Sequence, residues 1–231
     1  MRLTRWPDPL PAGIEVYRVD FDFDLEAETF AARQLLTSCE RARADRFTRT
    51  ADRVRFTQAR AALRRLLAAR AGCEPAEVPL ASSPHGKPHL AWAGGSGPPF
   101  NLSHSGSHAL IALGDERTVS EVGIDIEACG SDVDIEGIAT LAFTACERDE
   151  VRTAPDPLQA FYSRWTGKEA VLKAIGLGVA EQLQSIGLHP GAHGRFTLAC
   201  SVPGWTHFQA VALDAPTGYA AALAWRAKES T

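Results

Sequence analysis

The chain has 231 residues, 45% of them hydrophobic and 23% charged, with a formal net charge of −4. That length supports a sizeable core, as one domain or two modest ones, and the lack of an overall basic balance argues against a nucleic-acid partner. Five cysteines without a CxxC pair suit free thiols in a reducing cytosol, residues 1–13 lack an apolar leader, and no run of about 18 apolar residues offers a membrane span, so a cytoplasmic protein is expected.

Residues 17–23, YRVDFDF, alternate apolar and polar and predict a half-buried strand. Ser38 is a candidate cap for a short helix to about Phe47. A longer helix is predicted over 51–71, with Val54, Ala59, Leu63, Leu66 and Leu67 inward and Gly72 as its stop. Nine arginines between Arg41 and Arg65 leave room for a local anion site despite the acidic total. Residues 81–99 are rich in Ser, Pro and Gly and read as loop; HALIALG (108–114) and EVGIDIE (121–127) read as strands.

The second half has similar grammar. Thr144 with Glu147 fits a capping box. Asp156-Pro157 and Gly176 bracket a helix, and strands are expected over 195–200, 207–213 and 218–226. The ending GYAAALAWR is similar in pattern to SHALIALGD. Two halves follow, 1–117 and 118–231.

Four stretches could carry chemistry. In VGIDIE, a strand puts Asp125 and Glu127 on one face and Val122, Ile124 and Ile126 on the other. Paired acids either blunt a solvent-facing edge or await a cation; without Cys or His partners, the cation that suits them is Mg²⁺. In the helix FYSRWTGKEAVLKAIG, Trp165, Glu169 and Lys173 share a face with Lys168 beside it, either as a surface ion pair or as part of a site. The loop NLSHSG offers Ser103, His104 and backbone N–H groups to a phosphate, or merely caps its own turn. Lys87 in GKPHL is either a solubilising charge or a phosphate partner.

The pairs His85/His89, His104/His108 and His189/His193 have the spacing of helical zinc ligands. Gly and Pro break two of the segments, and no cysteine lies near in sequence, which argues against zinc. Together the four stretches suggest Mg²⁺-assisted chemistry on a pyrophosphate; nucleophile and donor do not follow from spacing. No P-loop or kinase motif points to another Mg²⁺ phosphotransferase.

In their order GKPHL, FNLSHSG, VGIDIE, FTACERDE and WTGKEAVLK, the sequence resembles the 4′-phosphopantetheinyl transferases of the large monomeric (Sfp-like) class, the kind that activates the surfactin synthetase. RADRFTRTADRVRF (43–56) is similar to that family's N-terminal helical region. The resemblance implies an α+β fold of two pseudo-symmetric halves, each a small antiparallel sheet packed with helices, with coenzyme A (CoA) in the cleft between them. It implies Mg²⁺-dependent transfer of phosphopantetheine from CoA to a serine of apo acyl or peptidyl carrier proteins, releasing adenosine 3′,5′-bisphosphate.

By motif, Asp125, Glu127 and Glu169 are implied metal ligands. Glu169 is also a candidate base, with Glu127 or a bound water as alternatives. Lys173 is implied at the pyrophosphate, with Lys168 adding charge there. His104 with Ser103, helped by Lys87, is implied at the 3′-phosphate, and Arg43 and Arg55 at CoA. The arginine-rich segment and an apolar patch around Phe143 and Leu158 are rival carrier-docking surfaces. Fatty-acid, polyketide and nonribosomal-peptide carriers are equally open, and a monomer is expected. A relative that binds CoA or carrier without chemistry is the rival reading; loss of an acid or lysine would mark it, and Asp125, Glu127, Glu169 and Lys173 are all present.

Overall fold

The computed structural model describes residues 1–7, 9–24, 26–83, 86–92, 97–130, 132–176 and 182–229. The first sheet is antiparallel in the order β1 (Arg2–Arg5), β2 (Ile14–Asp20), β6 (His108–Gly114), β5 (Phe100–Ser105). The second is antiparallel in the order β7 (Val119–Ala128), β11 (Tyr219–Ala227), β10 (Gln209–Leu213), β9 (Arg195–Cys200), β8 (Ile186–Pro190). A small hairpin joins β3 (Leu80–Ser82) to β4 (Pro88–Leu90). The helices are α1 (Glu26–Gln34), α2 (Ser38–Ala44), α3 (Thr50–Ala71), α4 (Ile135–Ala142), α5 (Ala145–Thr153) and α6 (Pro157–Ile175). The class is α+β, as expected.

Strand alternation builds the layers. Val16, Leu110 and Ala112 of the first sheet meet Val122, Ile124 and Leu223 of the second in a shared core. The opposite face of the first sheet, with Val19, Ile111 and Leu113, is covered by Ala62, Leu63 and Leu67 of α3. The far face of the second sheet, with Leu188, Ala222 and Ala224, is covered by Phe161, Val171 and Leu172 of α6. The order is therefore helix, sheet, sheet, helix, with apolar faces removed from water at each contact.

The local signals for α3, α5 and α6 act as their chemistry dictates. Gly72 and Gly176 end α3 and α6 at φ +67° and +88°, left-handed values that glycine adopts without a Cβ penalty. Thr144 and Glu147 form a reciprocal capping box, and Asp156 caps α6 ahead of Pro157. The cap of α2 is Thr37, not Ser38: its hydroxyl accepts from Glu40 N while Glu40 returns a bond to Thr37 N. Residues 81–99 are not simply loop, because Leu80–Ser82 pairs with Pro88–Leu90. The turn closes through Ser83 N to Lys87 O at 2.8 Å. Helices α1 and α4 and strand β8 carry no sequence expectation. β8 contains glycine and proline, which an outermost strand tolerates.

Part of the arginine cluster is neutralised internally. Arg64 is 2% exposed and donates to Glu40 at 2.6 Å and to the carbonyls of Pro75 and Val78. Arg60 pairs with the same glutamate at 3.5 Å, and Arg41 donates to Leu36 O. These three hold the fold rather than an outside anion. Phe143 is fully buried against Phe161 and offers no docking surface; Leu158 packs partly buried against the same core.

Among the described glycines, Gly123 leaves the least room for a side chain. A Cβ there would stand 2.0 Å from Ala170 O and 2.4 Å from Ala174 N of α6, both backbone atoms. Gly123→Ala therefore forces helix and strand apart. It should destabilise the chain by about 3 kcal/mol or more in denaturant unfolding, whereas Gly187→Ala, whose Cβ would meet Ala199 Cβ at 3.4 Å, should cost far less. Equal effects would contradict the close-packing account.

Candidate active site

β7 is the edge of its sheet, yet it is not open to solvent. β5, the edge of the other sheet, lies beside it and reaches it through side chains. Asn101, Ser103 and Ser105 alternate along one face of β5. Asn101 Oδ1 accepts from Ile124 N at 2.9 Å, and Ser105 Oγ accepts from Ala128 N at 3.1 Å. Between them Ser103 Oγ donates to Asp125 Oδ1 at 2.7 Å. The polar loop motif is thus a ladder of side chains that satisfies an otherwise bare strand edge. Ser103 points to Asp125 and not outward to a phosphate, which corrects the sequence expectation.

Asp125 is 1% exposed, so the solvent-facing edge reading does not hold. Lys173 Nζ donates to Asp125 Oδ1 at 2.5 Å and lies 2.9 Å from Ser103 Oγ. Lys173 pairs across the fold with the strand rather than along its helix with Glu169. Asp125 Oδ2 is buried without a hydrogen-bond partner. A buried carboxylate oxygen left bare is costly.

Glu169 is 5% exposed on the same helix face. Burial pushes its pKa up to about 7; Lys173 pulls it down, while Asp125 and Glu127 push it further up. Glu127 is also raised, by burial first and then by Asp125, against the opposing pull of Ser105 and Lys173. Three acids facing one lysine carry excess negative charge in a dry place. Their oxygens do not close to a cluster of ligand atoms all within 4.8 Å of one another. Lys173 occupies one oxygen of Asp125. The bare Oδ2, the raised carboxyls and the all-oxygen donor set fit a hard dication such as Mg²⁺.

The basic residues divide. His104 projects from β5 on the side opposite Ser103 and keeps solvent contact. Crowding by the protein, then the charges of Lys173 and Arg55, lower its pKa. Arg55 Nε donates to Gly106 O at 2.7 Å and its guanidinium pairs with Asp52 at 2.9 Å, beside the turn after His104. Lys87 Nζ donates to Ala174 O at 2.9 Å, near the negative end of α6, and burial lowers its pKa. Arg43 lies over the Phe56 ring at 5.1 Å.

Lys168 does not join the site. Its side chain is wholly buried and donates to Glu147 Oε2 at 2.7 Å, Ala142 O at 2.8 Å and Leu183 O at 2.9 Å. Glu147 in turn accepts from Leu188 N and Thr144 N, each at 2.8 Å. The pair is fully satisfied and ties α4, α5 and α6 to β8. One step along a helix turns a side chain by about 100°, which takes Lys168 away from Glu169's face.

Residues 121–224 match the 4′-phosphopantetheinyl transferase superfamily and residues 25–115 match the family described as 4′-phosphopantetheinyl transferase, N-terminal. The 4′-phosphopantetheinyl transferase HetI of Nostoc sp. is 35% identical over 206 residues, 87% of this chain and 84% of that protein. The L-aminoadipate-semialdehyde dehydrogenase-phosphopantetheinyl transferase of Homo sapiens is 30% identical over 69% of this chain and 54% of its own length. The chain spans 61% of the length of a Synechocystis relative, at 35% identity. Among solved structures, holo-[acyl-carrier-protein] synthase of Thermotoga maritima matches 48% of this chain and 65% of its own, at 20% identity and a TM-score of 0.40. A holo-(acyl-carrier-protein) synthase from Bacillus anthracis, in complex with CoA (3′,5′-ADP), matches 48% of this chain and 99% of its own, at 17% identity and a TM-score of 0.38.

The two family matches and the HetI alignment define a phosphopantetheinyl-transferase-type protein. The chain belongs to the 4′-phosphopantetheinyl transferase family.

The buried Lys168 and the half-buried Lys173 predict variants of different cost. Lys168→Met leaves Glu147 charged and buried and should cost about 3–5 kcal/mol in unfolding experiments. Lys173→Met also unpairs a buried acid, but Asp125 keeps its bond from Ser103 beside solvent, so the loss should be clearly smaller; similar Tm values for the two would overturn the distinction.

Glu169 predicts a pH effect. Its folded pKa of about 7 lies above the ordinary 4.5, so the folded chain holds the proton more tightly. That contribution is full below the ordinary value and is lost as pH rises through about 7. In chelator, wild type should lose up to about 3 kcal/mol relative to Glu169→Gln between acid and alkaline pH. Parallel pH–stability curves would refute it.

Proposed function

We propose that this chain transfers 4′-phosphopantetheine from CoA to a serine of apo acyl or peptidyl carrier proteins, releasing adenosine 3′,5′-bisphosphate. The reading places it in the large monomeric Sfp-like class. It works in the cytoplasm, with halves 1–117 and 118–231 flanking the CoA cleft. The observation that carries it is the acid group of the buried Asp125 and Glu169 and the half-buried Glu127 beside Lys173, with one oxygen of Asp125 bare.

Asp125 and Glu127 would hold Mg²⁺. Bound there, the ion supplies positive charge to the pyrophosphate of CoA and to the charge that develops on transfer. Glu169 takes the proton of the carrier serine. Burial gives its carboxyl a stronger hold on a proton than an ordinary carboxylate has, which favours the role of base. The serine oxygen forms a bond to the β-phosphorus as the bond to the bridging oxygen of adenosine 3′,5′-bisphosphate breaks.

Lys173 leaves Asp125 for the pyrophosphate and stabilises the departing phosphate. His104 and Arg55 flank the turn at residues 105–107 and receive the 3′-phosphate of CoA. Lys87 and Arg43 add supporting positive charge. Ser103 holds Asp125 and Lys173 in register.

Intact-mass spectrometry tests the reading. An apo carrier incubated with the chain, CoA and Mg²⁺ should gain one phosphopantetheine unit, and EDTA should abolish the gain. Asp125→Ala should slow transfer about 100-fold or more at a similar Tm. No mass gain on peptide, polyketide or fatty-acid carriers, or a near wild-type rate for the alanine variant, would sink it.

A further inference from the structure

A second cluster of ligand-type side chains lies outside the acid group. Cys146 and Glu150 stand one turn apart on α5, and His189 reaches them from β8. His189 Nδ1 is 3.0 Å from Glu150 Oε1, and Cys146 Sγ is 3.4 Å from the same oxygen. All three ligand atoms lie within 4.8 Å of one another. Local sequence argued against zinc at His189 because no cysteine or third ligand lies nearby in the chain; folding brings both. His85, of another histidine pair, lies outside the described residues. His108 is held by Asp20 at 2.8 Å.

We propose that Cys146, Glu150 and His189 form a binding site for a borderline-soft divalent cation of the zinc class, bridging α5 to β8. The donor set is thiolate, imidazole and carboxylate, which favours zinc over magnesium. Zinc bonds of about 2.0–2.3 Å in a tetrahedron separate neighbouring ligands by roughly 3.3–3.6 Å. The spacings of 3.0 and 3.4 Å need only small adjustment. Cys146 is exposed and the other two are half-buried, so an ion can enter, and a fourth position is left to water.

The surroundings preorganise the site. Arg164 donates to Glu150 Oε2 at 2.5 Å, which orients the carboxylate and leaves Oε1 to the ion. Its charge also opposes a cation and limits affinity. Beneath the cluster, Glu147 follows Cys146 and accepts from the backbone of Leu188, which precedes His189. The buried Lys168–Glu147 pair therefore fixes both ligand-bearing elements at adjacent residues. Without a metal the three groups remain a hydrogen-bonded cluster, so the experiment must detect the thiolate–metal bond itself.

Titration of the full chain with Co²⁺, in excess Mg²⁺ to fill all-oxygen sites, provides that readout. A thiolate-to-cobalt absorption band should grow to one equivalent and disappear on adding Zn²⁺. Cys146→Ser should abolish the band, His189→Ala should weaken binding at least tenfold, and Cys39→Ser, at another exposed thiol, should leave it unchanged. Zn²⁺ should raise the Tm of wild type and not of Cys146→Ser. No band near stoichiometric Co²⁺, or a band that survives Cys146→Ser, would overturn the proposal.

Discussion

The site depends on how closely α6 can approach β7. At Gly123 the backbones of helix and strand touch, in space that any Cβ would fill. This contact sets the height at which Glu169 and Lys173 stand over Asp125 and Glu127. A helix resting on ordinary side chains would sit farther away. Lys173 could not then reach Asp125 at 2.5 Å, and Glu169 would not be dry enough for its pKa to reach about 7. One absent methyl group thus links packing to charge.

Two lysines on α6 face acids, and their surroundings separate structure from chemistry. Lys168 and Glu147 are wholly enclosed, and both find further hydrogen bonds at each side. Nothing is left over, and the pair acts as a clamp. Lys173 keeps 26% of its side chain in contact with solvent, and Asp125 retains a bare oxygen. That incomplete satisfaction, together with the raised carboxyls of Glu127 and Glu169, marks a place suited to an incoming cation and phosphate. The clamp also underlies the Cys146–Glu150–His189 cluster, because Glu147 follows Cys146 and accepts from Leu188, which precedes His189.

β5 completes the arrangement from the other sheet. Its alternating Asn101, Ser103 and Ser105 satisfy β7 along an edge that would otherwise be exposed. The same strand presents His104 on its opposite face, where crowding by the protein, then the charges of Lys173 and Arg55, still lower its pKa. A period-two strand thereby does two tasks at once: it joins the sheets and offers a basic rim.

The sequence by itself determined the elements with strong local signals. Thr144 with Glu147, Asp156-Pro157 with Gly176, and Gly72 fix helix ends through bonds within a few residues. Alternation in VGIDIE put both acids on one face, since strand geometry leaves no other choice. The motif order from GKPHL to WTGKEAVLK pointed to the family that the comparisons show. Short or weakly patterned elements such as α4, β8 and the β3–β4 hairpin were not legible, because tertiary contacts rather than local preference hold them. Only the tertiary structure decided which lysine of GKEAVLK faces the acids, that Ser103 serves Asp125, that Arg64 and Phe143 are interior, and that Cys146 meets His189. Each of these turns on partners far apart in the chain, and a side chain's partner is set by packing, which no local pattern encodes.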